Sequence, residues 1–137
     1  MGLILDTSVI IAGERRGRTV RQVLEQIHAS HGDIEIGLSV VTIAELTHGA
    51  YRSKPDERKL QRLAFIERLC SDLPVYPFTV EAARVVGRIE AEQQSKGFVL
   101  EFEDLVIGVT ALQLGFDVAS LNVKHFQRIP GLNVVEL

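Results

Sequence analysis

The chain has 137 residues, with 15 basic and 18 acidic side chains and a formal net charge of −3. That length suits one domain whose core needs no disulfide staples, and the single cysteine, Cys70, has no intrachain partner. No basic segment precedes an apolar one and no apolar run nears the roughly 20 residues of a spanning helix, so a reduced cytoplasmic setting is expected and a membrane role is not.

Residues 3–5 (Leu-Ile-Leu) form a short apolar run suited to a strand buried on both faces, and Asp6 ends it. Thr7 and Ser8 offer caps for a short helix through Val9, Ile10, Ile11 and Ala12, stopped by Gly13. Val20, Val23, Leu24 and Ile27 then recur at i, i+3, i+4 and i+7, the spacing of an amphipathic helix, which Gly32 closes. Residues 34–38 read as a second strand, and Ser39 caps a helix running from Val40 towards Gly49.

Pro55 fits a first helical position, followed by Asp56 and Glu57 at the positive helix end. Leu60, Leu63, Ile66 and Leu69 mark its expected buried stripe, with Cys70 on the apolar face. "LPVYPF" is a strand candidate that Pro77 assigns to an edge or a strand end. The helix after Thr79 is expected to bury Val80, Ala83, Val86 and Ile89 and to stop near Gly97. "EDLVIGVTALQLG" is apolar nearly all round, which predicts a core helix with Gly115 as its stop. Residues 118–121 and 134–137 supply two last strands. The alternation predicts a three-layer α/β/α domain with a mainly parallel central sheet, a single unit over residues 1–137.

In such a sheet the functional crevice lies beyond the carboxyl ends of the strands, where strand order reverses. Asp6 ends the first strand there, and either caps the next helix or serves chemistry. Glu45 follows the second strand on a helix whose side chains lean back towards the same sheet edge; a solvated surface position is its other reading. Asp104 opens the core helix, where amide groups and dipole favour a negative charge, and it too is a candidate cap. Asn122 follows the strand at 118–121 and either shapes a turn or holds a water without adding charge. Glu101 and Glu103 add acidity beside Asp104.

Two carboxylates about 4 Å apart repel by about 4 kcal/mol at an effective dielectric of 20, against a net stability of about 5–15 kcal/mol for a whole domain. Three acids in one cleft therefore need protons, a basic side chain or a hard divalent cation. Oxygen donors suit Mg²⁺ or Mn²⁺, and a lone cysteine rules out a cysteine-rich zinc cage. His28, His31, His48 and His125 show no tight metal-ligand spacing.

Although the net charge is negative, three basic clusters stand out. Arg15, Arg16, Arg18 and Arg21 form one, Arg52, Lys54, Arg58, Lys59 and Arg62 a second, and Lys124, His125 and Arg128 a third. They are either solvated helix faces or phosphate contacts. Tyr51 is a candidate for base stacking, whereas Phe126 suits core packing.

Four blocks, "LDTSVII", "SVVTIAELTHG", "EDLVIGVTALQLG" and "SLNVKHFQRIPGL", resemble in order the PIN-domain ribonucleases, specifically the VapC toxins of toxin–antitoxin pairs. The resemblance implies that Asp6, Glu45 and Asp104 are the three family acids, with Asn122 at a fourth position that is Asp or Asn. It implies Mg²⁺ or Mn²⁺ held by Asp6, Asp104 and Glu45, an RNA substrate such as tRNA or a ribosomal RNA loop, and cut ends bearing 5′-phosphate and 3′-hydroxyl. It also implies a small antitoxin partner and a homodimer. Ser120 stands where the family usually has threonine, which keeps the hydroxyl. Three rivals stay open: a metal-independent ribonuclease using His48 and His125, a phosphoryl-accepting receiver, and a non-catalytic RNA- or protein-binding domain.

Overall fold

A computed structural model describes residues 1–137. The element order is β1 (Gly2–Leu5), α1 (Thr7–Arg15), α2 (Val20–His31), β2 (Glu35–Ser39), α3 (Val40–Tyr51) and α4 (Asp56–Asp72). β3 (Val75–Tyr76), α5 (Val80–Ser95), α6 (Phe102–Leu114) and β4 (Asp117–Ser120) follow, then a 3₁₀ turn over Val123–Phe126 and β5 (Val134–Glu136). The sheet order is β3-β2-β1-β4-β5 and every pairing is parallel. The expected three-layer α/β architecture is thus what the chain adopts, with a sheet that is wholly rather than mainly parallel.

Alternation along β1 divides the core. Leu3 and Leu5 join the apolar layer of α1 to α4, whereas Ile4 points to the opposite layer with Val118, α5 and α6. Burying each such side chain contributes about 1.5–3 kcal/mol. α6 lies in the core as its composition predicts, with seven consecutive buried residues from Leu105 to Ala111. Gly115 ends it in the left-handed region at φ 69°, which glycine adopts without steric cost.

Several local expectations are corrected. α1 runs two residues past Gly13, which is a point of close approach rather than a stop: a Cβ there would lie 2.6 Å from Val23 Cγ2. Thr7 and Ser8 do not cap α1, because they lie inside it and spend their hydroxyls on carboxylates. Pro55 is the N-cap of α4 rather than its first helical residue. Along α4, Ile66 and Leu69 are buried, while Leu60 is 63% exposed and Cys70 also faces solvent. α5 buries Ala82, Val86, Ile89 and Gln93, leaving Val80 and Ala83 exposed. In both helices the true stripe starts elsewhere, since the end of an amphipathic helix overhangs the layer beneath it. β3 is a two-residue edge strand, as Pro77 predicts.

The helices after β1 and β2 pack on one face of the sheet. After β3 the chain crosses to the other side of β1 and enters β4. Strand order therefore reverses at the β1/β4 boundary, and the carboxyl ends of those two strands open the crevice.

Candidate active site

Asp6 sits at that boundary, its backbone N–H donating to Ala119 O at 2.9 Å. It occupies the N-cap position of α1, but its side chain makes no cap hydrogen bond. Instead Oδ2 accepts from Ser8 Oγ and Ser120 Oγ, each at 2.8 Å, in a setting where Asp6 is only 5% exposed and Ser120 fully buried. The two serine oxygens in turn accept backbone N–H groups, Ser8 from Leu121 and Ser120 from Asn122. One donor two residues away and one 114 residues away in sequence thus fix one oxygen of the carboxylate, and Oδ1 has no protein donor.

Glu45 is presented by α3. Its Oε1 accepts from Thr7 Oγ1 at 2.7 Å, and Thr7 Oγ1 lies 3.0 Å from the buried Thr42 Oγ1. Thr7 has one hydroxyl hydrogen, which it gives to Glu45, so Thr42 donates to Thr7. Burial raises the Glu45 carboxyl above its ordinary value; the Thr7 hydrogen bond opposes the shift, and the charges of Glu103 and Asp6 add to it.

Asp104 is the third helical residue of α6, whose N-cap is Glu101, and no side chain caps this helix. Burial, foremost, pushes its carboxyl up to about 6; Asp6 raises it further, His125 opposes, and Glu45 and Glu101 add smaller upward effects. His125 Nδ1 lies 3.3 Å from Asp104 Oδ2.

All four residues singled out in the sequence meet in one cleft of about 290 Å³, lined by Asp6, Glu45, Asp104 and Asn122 together with Thr7, Ser8, Ile11, Glu101, Glu103 and His125. Glu101 and Glu103 are therefore cleft residues. His125 shows no metal-ligand spacing in the sequence, yet the 3₁₀ turn that follows β4 carries it into the cleft. His48 is exposed and does not line the cleft, which removes one half of a two-histidine mechanism. Thr42, a helical neighbour of Glu45, holds a relay hydroxyl that nothing in a sequence distinguishes from that of an ordinary helical threonine.

Each of the three acids has one oxygen engaged and one without a protein partner: Asp6 Oδ1, Glu45 Oε2 and Asp104 Oδ1. No three His, Cys, Asp or Glu side chains converge into a ready-made cage. That combination fits Mg²⁺ or Mn²⁺, since a small hard cation takes one or two carboxylates and keeps several waters. It does not fit a dedicated all-protein zinc site.

The PIN domain family model matches residues 3–132. The chain belongs to the PIN-domain family. Within it the relatives carry the VapC name. Ribonuclease VapC1 of Rickettsia felis is 34% identical over 98% of this chain and 96% of its own length. The tRNA(fMet)-specific endonuclease VapC of Salmonella typhimurium is 35% identical over 71% of each chain. Among solved structures, the DNA-bound VapBC of Salmonella typhimurium superposes with a TM-score of 0.81 at 27% identity, covering 99% of this chain and 98% of that one. This PIN domain thus matches VapC proteins over nearly its whole length.

Proposed function

We propose that this PIN domain is the ribonuclease toxin of a type II toxin–antitoxin pair, hydrolysing RNA phosphodiester bonds with Mg²⁺ or Mn²⁺. The observation that carries the proposal is the meeting of Asp6, Glu45 and Asp104, from three separate elements, around one cleft in which two of the acids resist ionising. Uncompensated, that crowding only costs stability; a cation turns it to use.

When bound, the cation supplies Lewis acidity towards a phosphate oxygen and towards water. Asp6 and Asp104 would hold it, and Glu45 would anchor or orient a water. Ser8 and Ser120 fix Asp6 so that its free oxygen faces the cleft, and the Thr42–Thr7 pair does the same for Glu45. Asn122 lines the opening and offers an amide without further negative charge. No side chain needs to act as a covalent nucleophile.

The names of the relatives support RNA as substrate, one of them naming a tRNA, and the VapBC assemblies support a VapB-like antitoxin; a ribosomal RNA loop is the other substrate class of this proposal. An antitoxin side chain that brought positive charge into the cleft would compensate the same acids and silence the enzyme. Homodimerisation and a cytoplasmic site of action complete the proposal.

The test is cleavage of total RNA by the wild type, Asp6→Asn and Asp104→Asn, each with Mg²⁺, Mn²⁺ or chelator, with the ends mapped. Cutting that needs the cation, leaves 5′-phosphates and disappears in both variants is expected. Equal cutting in all lanes would defeat the proposal, and intact RNA binding without any cation-dependent cutting would favour a non-catalytic domain.

A further inference from the structure

The acidic cleft poses an electrostatic problem for any polyanionic substrate: Asp6, Glu45, Glu101, Glu103 and Asp104 all line it. One cation offsets only part of that charge. The neighbouring surface carries arginines that can offset more of it.

α1 carries a single face past both regions. Thr7, Ser8 and Ile11 line the acidic cleft, while Ile11, Glu14 and Arg15 line a second, larger groove of about 690 Å³ that also takes in Arg18, Arg58 and Arg62. The spacing of 7/8, 11 and 14/15 is helical, so cleft and groove are successive stations along one stripe of α1 and share Ile11 as a common wall, with Arg18 reaching the groove from the loop that follows the helix. Arg15 lies about 13 Å along the helix axis from Asp6, at about 1.5 Å per residue.

Two of the basic clusters, more than 30 residues apart in the chain, converge here. Their arginines are not equivalent. Arg62 is committed to structure: it pairs with Glu14 at 3.3 Å and donates to Gly49 O and Ser53 Oγ. That pairing also neutralises Glu14. Arg15 and Arg58 have no carboxylate partner, and Arg18 donates only to the neutral Gln26. Glu57 is the one acid left to offset these three guanidinium groups.

We propose that the groove between α1 and α4 is the track along which the sugar–phosphate backbone of the RNA leaves the cleft, with Arg15, Arg18 and Arg58 contacting phosphates. The inference rests on the ribonuclease function proposed above. Guanidinium forks suit phosphate oxygens, and contacts of this kind confer affinity and salt dependence without reading sequence. An acidic peptide is the competing occupant; RNA is favoured because the groove is continuous with the place where a scissile phosphate must lie.

The experiment measures binding of a bulk tRNA preparation and of a 12-nucleotide single-stranded RNA to the full chain against salt concentration, in the Asp104→Asn background. Arg15→Gln/Arg58→Gln is compared with Arg88→Gln, a control on α5, and KM for cleavage is measured with Asp104 restored. The double variant is expected to bind about tenfold more weakly at low salt, and to flatten the log–log salt slope by about 0.7 per arginine. KM should rise by more than kcat falls, while Arg88→Gln leaves affinity and slope as they were. Unchanged affinity and slope in the double variant overturns the track, and a concurrent loss of a copurifying antitoxin assigns the groove to a protein partner instead. A wild type that neither binds nor cuts RNA overturns the ribonuclease function and this inference together.

Discussion

Thr7 and Glu45, 38 residues apart in the chain, share a 2.7 Å hydrogen bond that ties the start of α1 to the middle of α3. Thr42 lies one helical turn before Glu45 and is fully buried, so its hydroxyl must be satisfied inside the protein, and it is, by Thr7. One acid is thereby oriented by a two-hydroxyl relay whose direction is set by the carboxylate at its end.

Thr42→Val keeps the shape of the side chain and removes the donor. It is expected to cost about 1 kcal/mol of stability and to lower kcat about tenfold, with Thr42→Ser restoring most of the activity. In a double-mutant cycle with Glu45→Gln the two kinetic losses should fall short of additive by at least 0.5 kcal/mol, because both act through one carboxylate. Full additivity would show that Thr42 serves only packing.

Ser120→Ala removes one of the two hydroxyls on Asp6 Oδ2 and leaves the Asn122 N–H without its acceptor. Because Ser120 is fully buried, water cannot take its place, and a loss of about 1.5–3 kcal/mol in urea unfolding is expected together with reduced cleavage. Ser8→Ala, at a partly exposed site, should cost less in stability. Equal effects of the two would contradict the difference in burial.

The sequence made the architecture legible because its strongest signals are non-local in consequence but local in form. The all-apolar run at residues 105–107 can only be a core segment, and Gly115 and Pro77 mark boundaries by backbone geometry alone. Asp6 and Asp104 were legible as odd charges at a strand end and a helix start, whereas Glu45, in the middle of α3, stood out only through the family resemblance; the fold brings the three together. What stayed hidden depends on tertiary contact. Leu60 and Val80 obey the helical period yet face solvent, because nothing packs over the first turns of α4 and α5. Arg62 looks like a phosphate contact in a basic cluster, but Glu14, Gly49 and Ser53 claim it.

Two glycines inside helices offer opposite outcomes for one substitution. Gly13→Ala would set a methyl 2.6 Å from Val23 Cγ2, and Val23 is buried and stiff about χ1, so the α1–α2 contact must open at a cost of about 1–3 kcal/mol. Around Gly87, in the exposed face of α5, a Cβ meets nothing within 4 Å. Gly87→Ala should therefore stabilise the fold by about 0.4–1 kcal/mol through helix propensity and a less flexible unfolded chain. Paired urea titrations decide both, and a destabilising Gly87→Ala would mean that α5 is packed against something in solution.

Asp104 gives the cleft a pH signature whose sign is opposite to that of an ordinary salt-bridged aspartate. Burial, with Asp6 beside it, pushes its folded-state carboxyl up to about 6 from 3.8, so the folded protein keeps a proton that the unfolded chain has released. Stability from this group is therefore present below about pH 4 and is lost as the pH rises towards and through about 6; the raised Glu45 carboxyl acts in the same direction. In chelator, the stability of the wild type relative to Asp104→Asn is expected to fall by on the order of 2 kcal/mol between pH 4 and pH 7. Mg²⁺ or Mn²⁺ should raise the melting temperature more at pH 7 than at pH 5, since the cation binds the ionised carboxylate and competes with the proton. Thermal scans of the two proteins across that range, with and without the cation, supply the measurement. A difference that stays flat with pH would show that Asp104 ionises freely and that the cleft is wetter and less crowded than its geometry states.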